Sequence, residues 1–118
     1  MGLTLHRSLA VAAALAALAP LAAARPEEPA VVEITAKRFQ FTPSEVTLER
    51  GKPVVLRLHS EDVTHGFYMK TLGIDTVIPP GRNTDVAITP QQPGRYTVIC
   101  DHFCGAGHGN MHMTIVVK

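Results

Sequence analysis

The stretch Tyr96-Thr-Val-Ile-Cys100-Asp-His102-Phe-Cys104-Gly-Ala-Gly-His108-Gly-Asn-Met111-His-Met113-Thr-Ile-Val-Val117 decides how this chain reads. Its two ends, Tyr96 to Cys100 and Met113 to Val117, have the β-branched and aromatic content of strands. The glycines at 105, 107 and 109 make a helix between them unfavourable, at about 1 kcal/mol each relative to alanine. The middle is therefore a loop held between two strands. It carries both cysteines of the protein, His108 and Met111. Thiolate, imidazole and thioether are soft and borderline ligands, which suit copper better than magnesium or calcium.

Other readings of the same residues exist. Two cysteines in an exported chain can form a disulfide, although a Cys100–Cys104 bridge would close a very short loop and remove little entropy from the unfolded chain. Zinc takes Cys and His as its usual ligands but rarely recruits methionine. Met113, Ile115 and Val117 read as core residues of a strand. Copper is the single account that uses Cys100, Cys104, His108 and Met111 together.

The rest of the chain is patterned for an all-β fold. Val31 to Phe39 alternates in part, with Val32, Ile34 and Ala36 set against Glu33, Thr35 and Lys37. Val46 to Arg50 and Val54 to Leu58 flank a Gly51-Lys52-Pro53 turn and read as a two-strand unit, and Asp85 to Thr89 gives another strand. Turn signals at Thr42-Pro43-Ser44, Pro79-Pro80-Gly81 and Gln92-Pro93-Gly94 separate them. No segment sustains a helical apolar period. Short strands at this spacing indicate a Greek-key β-sandwich.

Residues 1–24 read as a signal peptide: His6 and Arg7 precede an Ala/Leu/Val-rich run, Pro20 breaks it, and Ala22 to Ala24 supply small residues for cleavage. An uncleaved anchor is the alternative. Residues 25–30 form a charged leader and 31–118 the folded domain, exported to the periplasm or the outer face of the cytoplasmic membrane. Of 11 basic and 10 acidic side chains, Arg7 leaves with the signal and the remainder balance. Such a surface argues against nucleic acid or an anionic membrane surface as a partner, since both call for a basic face. Membrane association would come through partners or through the N-terminus.

A loop alone would make a floppy metal site, and a sandwich can bring a ligand from another loop. His65, in Asp62-Val-Thr-His65-Gly-Phe67, is the candidate; an exposed turn histidine is the other reading of it. His59, at a strand end before Ser60-Glu61-Asp62, reads as a surface residue. His59, Met69, His112 and Met113 are spare donors for a weaker second site, or simply structural residues.

From about Phe39 to its end the chain resembles the copper-binding domain of cytochrome c oxidase subunit II, a cupredoxin of the CuA type. Phe41-Thr-Pro43, Val46-Thr-Leu48 and Gly51-Lys-Pro-Val54 are similar to the opening of cupredoxins. Asp62-x2-His65 looks like the segment carrying the first histidine, and Leu72 to Pro79 with Pro80-Gly-Arg82 looks like the strand and turn that follow. Cys100-x3-Cys104-Gly105-x2-His108-x2-Met111 looks like the CuA loop, most like that of ba-type oxidases.

The resemblance implies a binuclear centre of two copper ions. Cys100 and Cys104 would bridge them, His65 and His108 would each bind one, and Met111 and the backbone carbonyl of His102 would be weak ligands. Many family members carry Glu where His102 stands, so only the carbonyl role of His102 carries over. The paired transmembrane helices of the usual subunit and any tryptophan are absent from these 118 residues. The implied work is one-electron transfer, with a c-type cytochrome or another cupredoxin as donor and an oxidase subunit as acceptor. No groups are arranged for acid–base or nucleophilic work, so the isolated chain is expected to carry electrons rather than catalyse. A copper chaperone or copper-sensing module, or a disulfide-bonded interaction domain, are the alternatives.

Overall fold

Period-2 burial organises the domain. The structure, a computed structural model, describes residues 2–3, 10–18 and 28–118, apart from the side chain of His108. Most of the signal-peptide reading falls outside the described residues. Nine strands are present among those described: β1 Ala30–Lys37, β2 Gln40–Thr42, β3 Glu45–Leu48, β4 Val54–Ser60, β5 His65–Met69, β6 Ile74–Ile78, β7 Thr84–Ile88, β8 Gly94–Ile99 and β9 His112–Val117. The first strand thus opens at Ala30, inside the expected leader. Two short 3-10 turns, Lys70–Leu72 and His108–Asn110, are the helical elements, and no helix among the described residues is long and apolar enough to cross a membrane.

The strands form two mixed sheets, ordered β2-β1-β4-β7 and β3-β9-β8-β5-β6. β1 runs parallel to β4 and β3 parallel to β9, while the other pairings are antiparallel. This corrects the reading of Val46 to Leu58 as a paired unit. β3 and β4 lie in different sheets, and the Gly51 turn carries the chain across the sandwich. Both strands are half apolar, so each buries one face more fully against the opposite sheet than it could in a bare hairpin.

Ile34, Ala36, Phe41, Leu56 and Leu58 from one sheet meet Phe67, Ile74, Ile78, Val98, Met113 and Ile115 from the other, all nearly inaccessible to water. The rings of Phe41 and Phe67 cross the interface edge to face, 5.4 Å apart. Burying each large apolar side chain contributes about 1.5–3 kcal/mol.

The same alternation positions the candidate ligands. Tyr96 and Val98 point inward on β8, and the next position of that parity is Cys100. Met113, Ile115 and Val117 point inward on β9, and stepping back gives Met111. On β5 the inward row is His65, Phe67 and Met69. Three adjacent strands of one sheet therefore deliver Cys100, Met111 and His65 to the same end of the core.

Candidate metal centre

The base of the 100–111 loop is closed by the Cys100 N–H, which donates to the Met111 carbonyl at 3.1 Å. Inside it the Cys100 and Cys104 sulfurs stand 3.6 Å apart, against about 2.05 Å in a disulfide. The two are not bonded to each other, which corrects the disulfide alternative. His65, Cys100 and Cys104 are all buried, and each offers a ligand atom within 4.8 Å of the others. Met111 is 2% exposed, and the Cys104 thiol points at its sulfur across 3.8 Å. The Cys100 thiol donates to the His102 carbonyl at 3.2 Å. The His102 ring is exposed and lies against the Phe103 carbonyl, with Nδ1 3.1 Å from that oxygen. So carbonyl and imidazole of His102 face different surroundings, and only the carbonyl meets the Cys100 sulfur. The side chain of His108 lies outside the described residues.

His65 is completely buried. Its Nε2 is 2.6 Å from Asp62 Oδ1, and its Nδ1 is a buried nitrogen with no hydrogen-bond partner. A carboxylate on Nε2 holds the proton there and leaves the Nδ1 lone pair for a metal. An orphaned acceptor of this kind costs about 1–3 kcal/mol in a closed core, a cost a metal bond would remove.

Asp62 is held in turn. Burial pushes its carboxyl up, but the Arg38 N–H, the His65 imidazole and the Val63 N–H together outweigh burial and bring it down to about 2. It therefore stays anionic beside the histidine. The Cys104 thiol is pushed up to about 11, first by burial, then by its hydrogen bond to Cys100 and the Cys100 charge, with Asp62 adding to this and Arg38 opposing it. A neutral thiol is the resting state of such a site without metal, and a cation that displaces the proton relieves the cost of a buried anion.

Close backbone approach builds the site as much as the ligands do. A Cβ at Gly66 would fall 2.2 Å from Asp101 Oδ1 and 2.6 Å from the His102 nitrogen. Glycine here lets β5 lie directly against the loop, and the Gly66 N–H then donates to Cys100 Sγ at 3.2 Å. Such a donor favours negative charge on the sulfur. On the other side the Phe39 ring covers the loop, at 2.9 Å from a Cβ built at Gly105 and 2.5 Å from one at Gly107.

Of the residues expected from sequence, the structure brings together His65, Cys100, Cys104, Met111 and the His102 carbonyl. His59 and His112 are exposed and Met113 is core. Asp62, Gly66, Arg38 and Phe39 were not assigned roles from sequence. Asp62 had a readable signal, an acid three residues before a candidate ligand histidine; the others depend on contacts between distant segments.

A β-sandwich that gathers two thiols, a thioether and an imidazole at one buried pole defines a soft-metal-binding domain. The description of a cupredoxin-like domain matches residues 8–117, and the chain belongs to that family. Cytochrome c oxidase subunit 2 of Thermus thermophilus is 38% identical over 87 residues, which cover 74% of this chain and 64% of that protein. A second Thermus thermophilus subunit 2 sequence is matched over 52% of its length, so the chain spans roughly half to two thirds of these relatives. Among solved structures, a heme-copper terminal oxidase dimer superposes with a TM-score of 0.69 at 25% identity, covering 81% of this chain and 75% of that one. The periplasmic domain of subunit II of cytochrome oxidase from Bradyrhizobium japonicum has the same fold, with a TM-score of 0.71 at 18% identity over 79% of this chain and 86% of that one.

Proposed function

We propose that this domain is an exported one-electron carrier whose buried pole holds two copper ions in a CuA-type centre. The observation that carries the reading is the pair of buried sulfurs 3.6 Å apart, flanked by an imidazole whose inner nitrogen lacks a partner. One thiolate with histidines suits a mononuclear site; two adjacent thiolates can both bridge a pair of ions. The bound coppers would supply one-electron redox chemistry, with a single unpaired electron shared between them.

The chain's own residues fix that chemistry in place. Cys100 and Cys104 would neutralise the cations, and His65 would bind through Nδ1 because Asp62 occupies its other nitrogen. His108 is assigned as the second imidazole from its position in the loop. The acceptors of the two thiol protons, the His102 carbonyl and the Met111 sulfur, are lone-pair donors that meet whatever replaces those protons. They would serve as the weak ligands. Burial keeps water from the sulfurs, and the strand ends on either side resist rearrangement when charge changes. The relatives are oxidase subunits. By that kinship the donor is a c-type cytochrome or another cupredoxin, the acceptor an oxidase subunit, and the location periplasmic.

A copper-loaded domain should keep its metal through repeated oxidation and reduction while a copper-binding competitor protein is present. Rapid transfer to the competitor, above all on reduction, would instead mark a delivery protein.

A further inference from the structure

We propose that Arg38 is a positioning residue that braces the two halves of the metal site and sets its potential; this rests on the metal-binding reading above. Arg38 sits in the turn between β1 and β2, in the sheet that supplies none of the ligands already named. From there it makes two bonds to the site. Its backbone N–H donates to Asp62 Oδ2 at 2.9 Å, and its side-chain Nε donates to the Cys104 carbonyl at 3.0 Å. Asp62 Oδ1 in turn holds His65 Nε2 at 2.6 Å. One residue thus orients the histidine through its carboxylate and fixes the peptide that follows a cysteine ligand.

The brace stands where the chain most needs one. Gly105 follows Cys104 directly, and a glycine-rich segment has the most conformational freedom to lose on ordering. Phe39, the next residue, lies over Gly105 and Gly107. The Arg38 side chain is held on the Cys104 carbonyl, so Arg38 and Phe39 restrain both sides of the same peptide. The guanidinium held on the Cys104 carbonyl also places a permanent positive charge at the edge of the site. Reduction lowers the positive charge of a copper site, so a fixed cation at its edge favours the reduced form and raises the potential.

Geometry and charge can be separated by substitution. Arg38→Lys keeps the charge but loses the planar N–H directed at the carbonyl. Arg38→Gln keeps an N–H donor without charge, and Arg38→Ala removes both. Copper-loaded variants would be compared by release to a copper chelator and by reduction potential, and metal-free variants by thermal unfolding. Arg38→Ala should release copper about 10–100-fold more readily, the usual effect of losing a group that supports a ligand. The potential should fall in Arg38→Gln and Arg38→Ala and stay near the parent in Arg38→Lys. Metal-free melting should change little, because the Arg38 side chain is exposed. Unchanged release in Arg38→Ala together with an unchanged potential in Arg38→Gln would overturn the proposal. So would a metal-free melt lowered as much as the metal affinity, which would mark a general fold contact. A parent domain that binds one copper would sink the binuclear reading yet leave this comparison intact, since the variants report on any ion held by Cys104.

Discussion

Cys100 and Cys104 differ in surroundings, yet their substitutions are expected to have the same outcome. Cys100 receives the Gly66 N–H, whereas Cys104 faces Met111. In the proposed two-copper centre either change to serine would remove a thiolate shared by both ions, so Cys100→Ser and Cys104→Ser should each abolish that centre, seen as loss of the second copper on metal analysis. Met111→Leu should retain copper and shift the potential, because a thioether would be a weak ligand that tunes the metal more than it holds it. His102→Ala should leave binding intact, since its ring points at the Phe103 carbonyl and only its own carbonyl meets the Cys100 sulfur. Asp62 adds a pH signature to the metal-free domain. Its folded pKa of about 2 lies below the ordinary 3.8. A lowered folded pKa contributes stability that is complete above about pH 4 and is lost as the pH falls through about 2. Denaturant melts across that acid window should show the loss in the parent, and Asp62→Asn should flatten it while loosening copper. The raised Cys104 thiol predicts the opposite limb for metal uptake: copper binding should tighten as pH rises, because each thiol must give up its proton.

Strands and loops carry a second set of consequences. Gly66 and Gly107 both permit close approach, but against different neighbours. An alanine at 66 meets the Asp101 side chain and the backbone nitrogens of Asp101 and His102, which leaves little room to give. Gly66→Ala should cost about 1–3 kcal/mol in thermal or denaturant unfolding, the range for overpacking. The nearest atoms to an alanine at 107 all belong to the Phe39 ring, so Phe39→Leu in the same chain should relieve much of the cost of Gly107→Ala. A double-mutant cycle on the two positions should therefore show coupling, and additivity would place the ring elsewhere. These contacts also explain what could be read in advance. β8 and β9 were legible because Tyr96 to Cys100 and Met113 to Val117 concentrate β-branched and aromatic residues beside a glycine-rich break. β5 was not, because His65-Gly-Phe-Tyr-Met has no polar alternation: it is an inner strand whose outer side at Gly66 is covered by the loop. The candidate metal residues stood out by type and spacing, since four of them crowd into one segment. Arg38 was not, because its meaning lies in a carbonyl 66 positions away along the chain.

The sandwich as a whole works as a holder. The proposed ligands Cys100, Met111 and His65 continue the inward rows of three neighbouring strands, so the packed core behind them resists movement of any one. Such preorganisation suits a carrier, whose ligand geometry should barely differ between metal-free, oxidised and reduced forms. A metal-delivery protein would instead need an open loop that exchanges ligands with a partner. Kinship with oxidase subunits supports the carrier, although a fold by itself fixes no function, so the decision rests on the metal. The direct test is copper counting and electron paramagnetic resonance on the same reconstituted sample. Two coppers per chain, with one unpaired electron split equally by both nuclei, is the result expected from two buried thiolates side by side. One copper per chain, with the electron confined to a single nucleus, would contradict it.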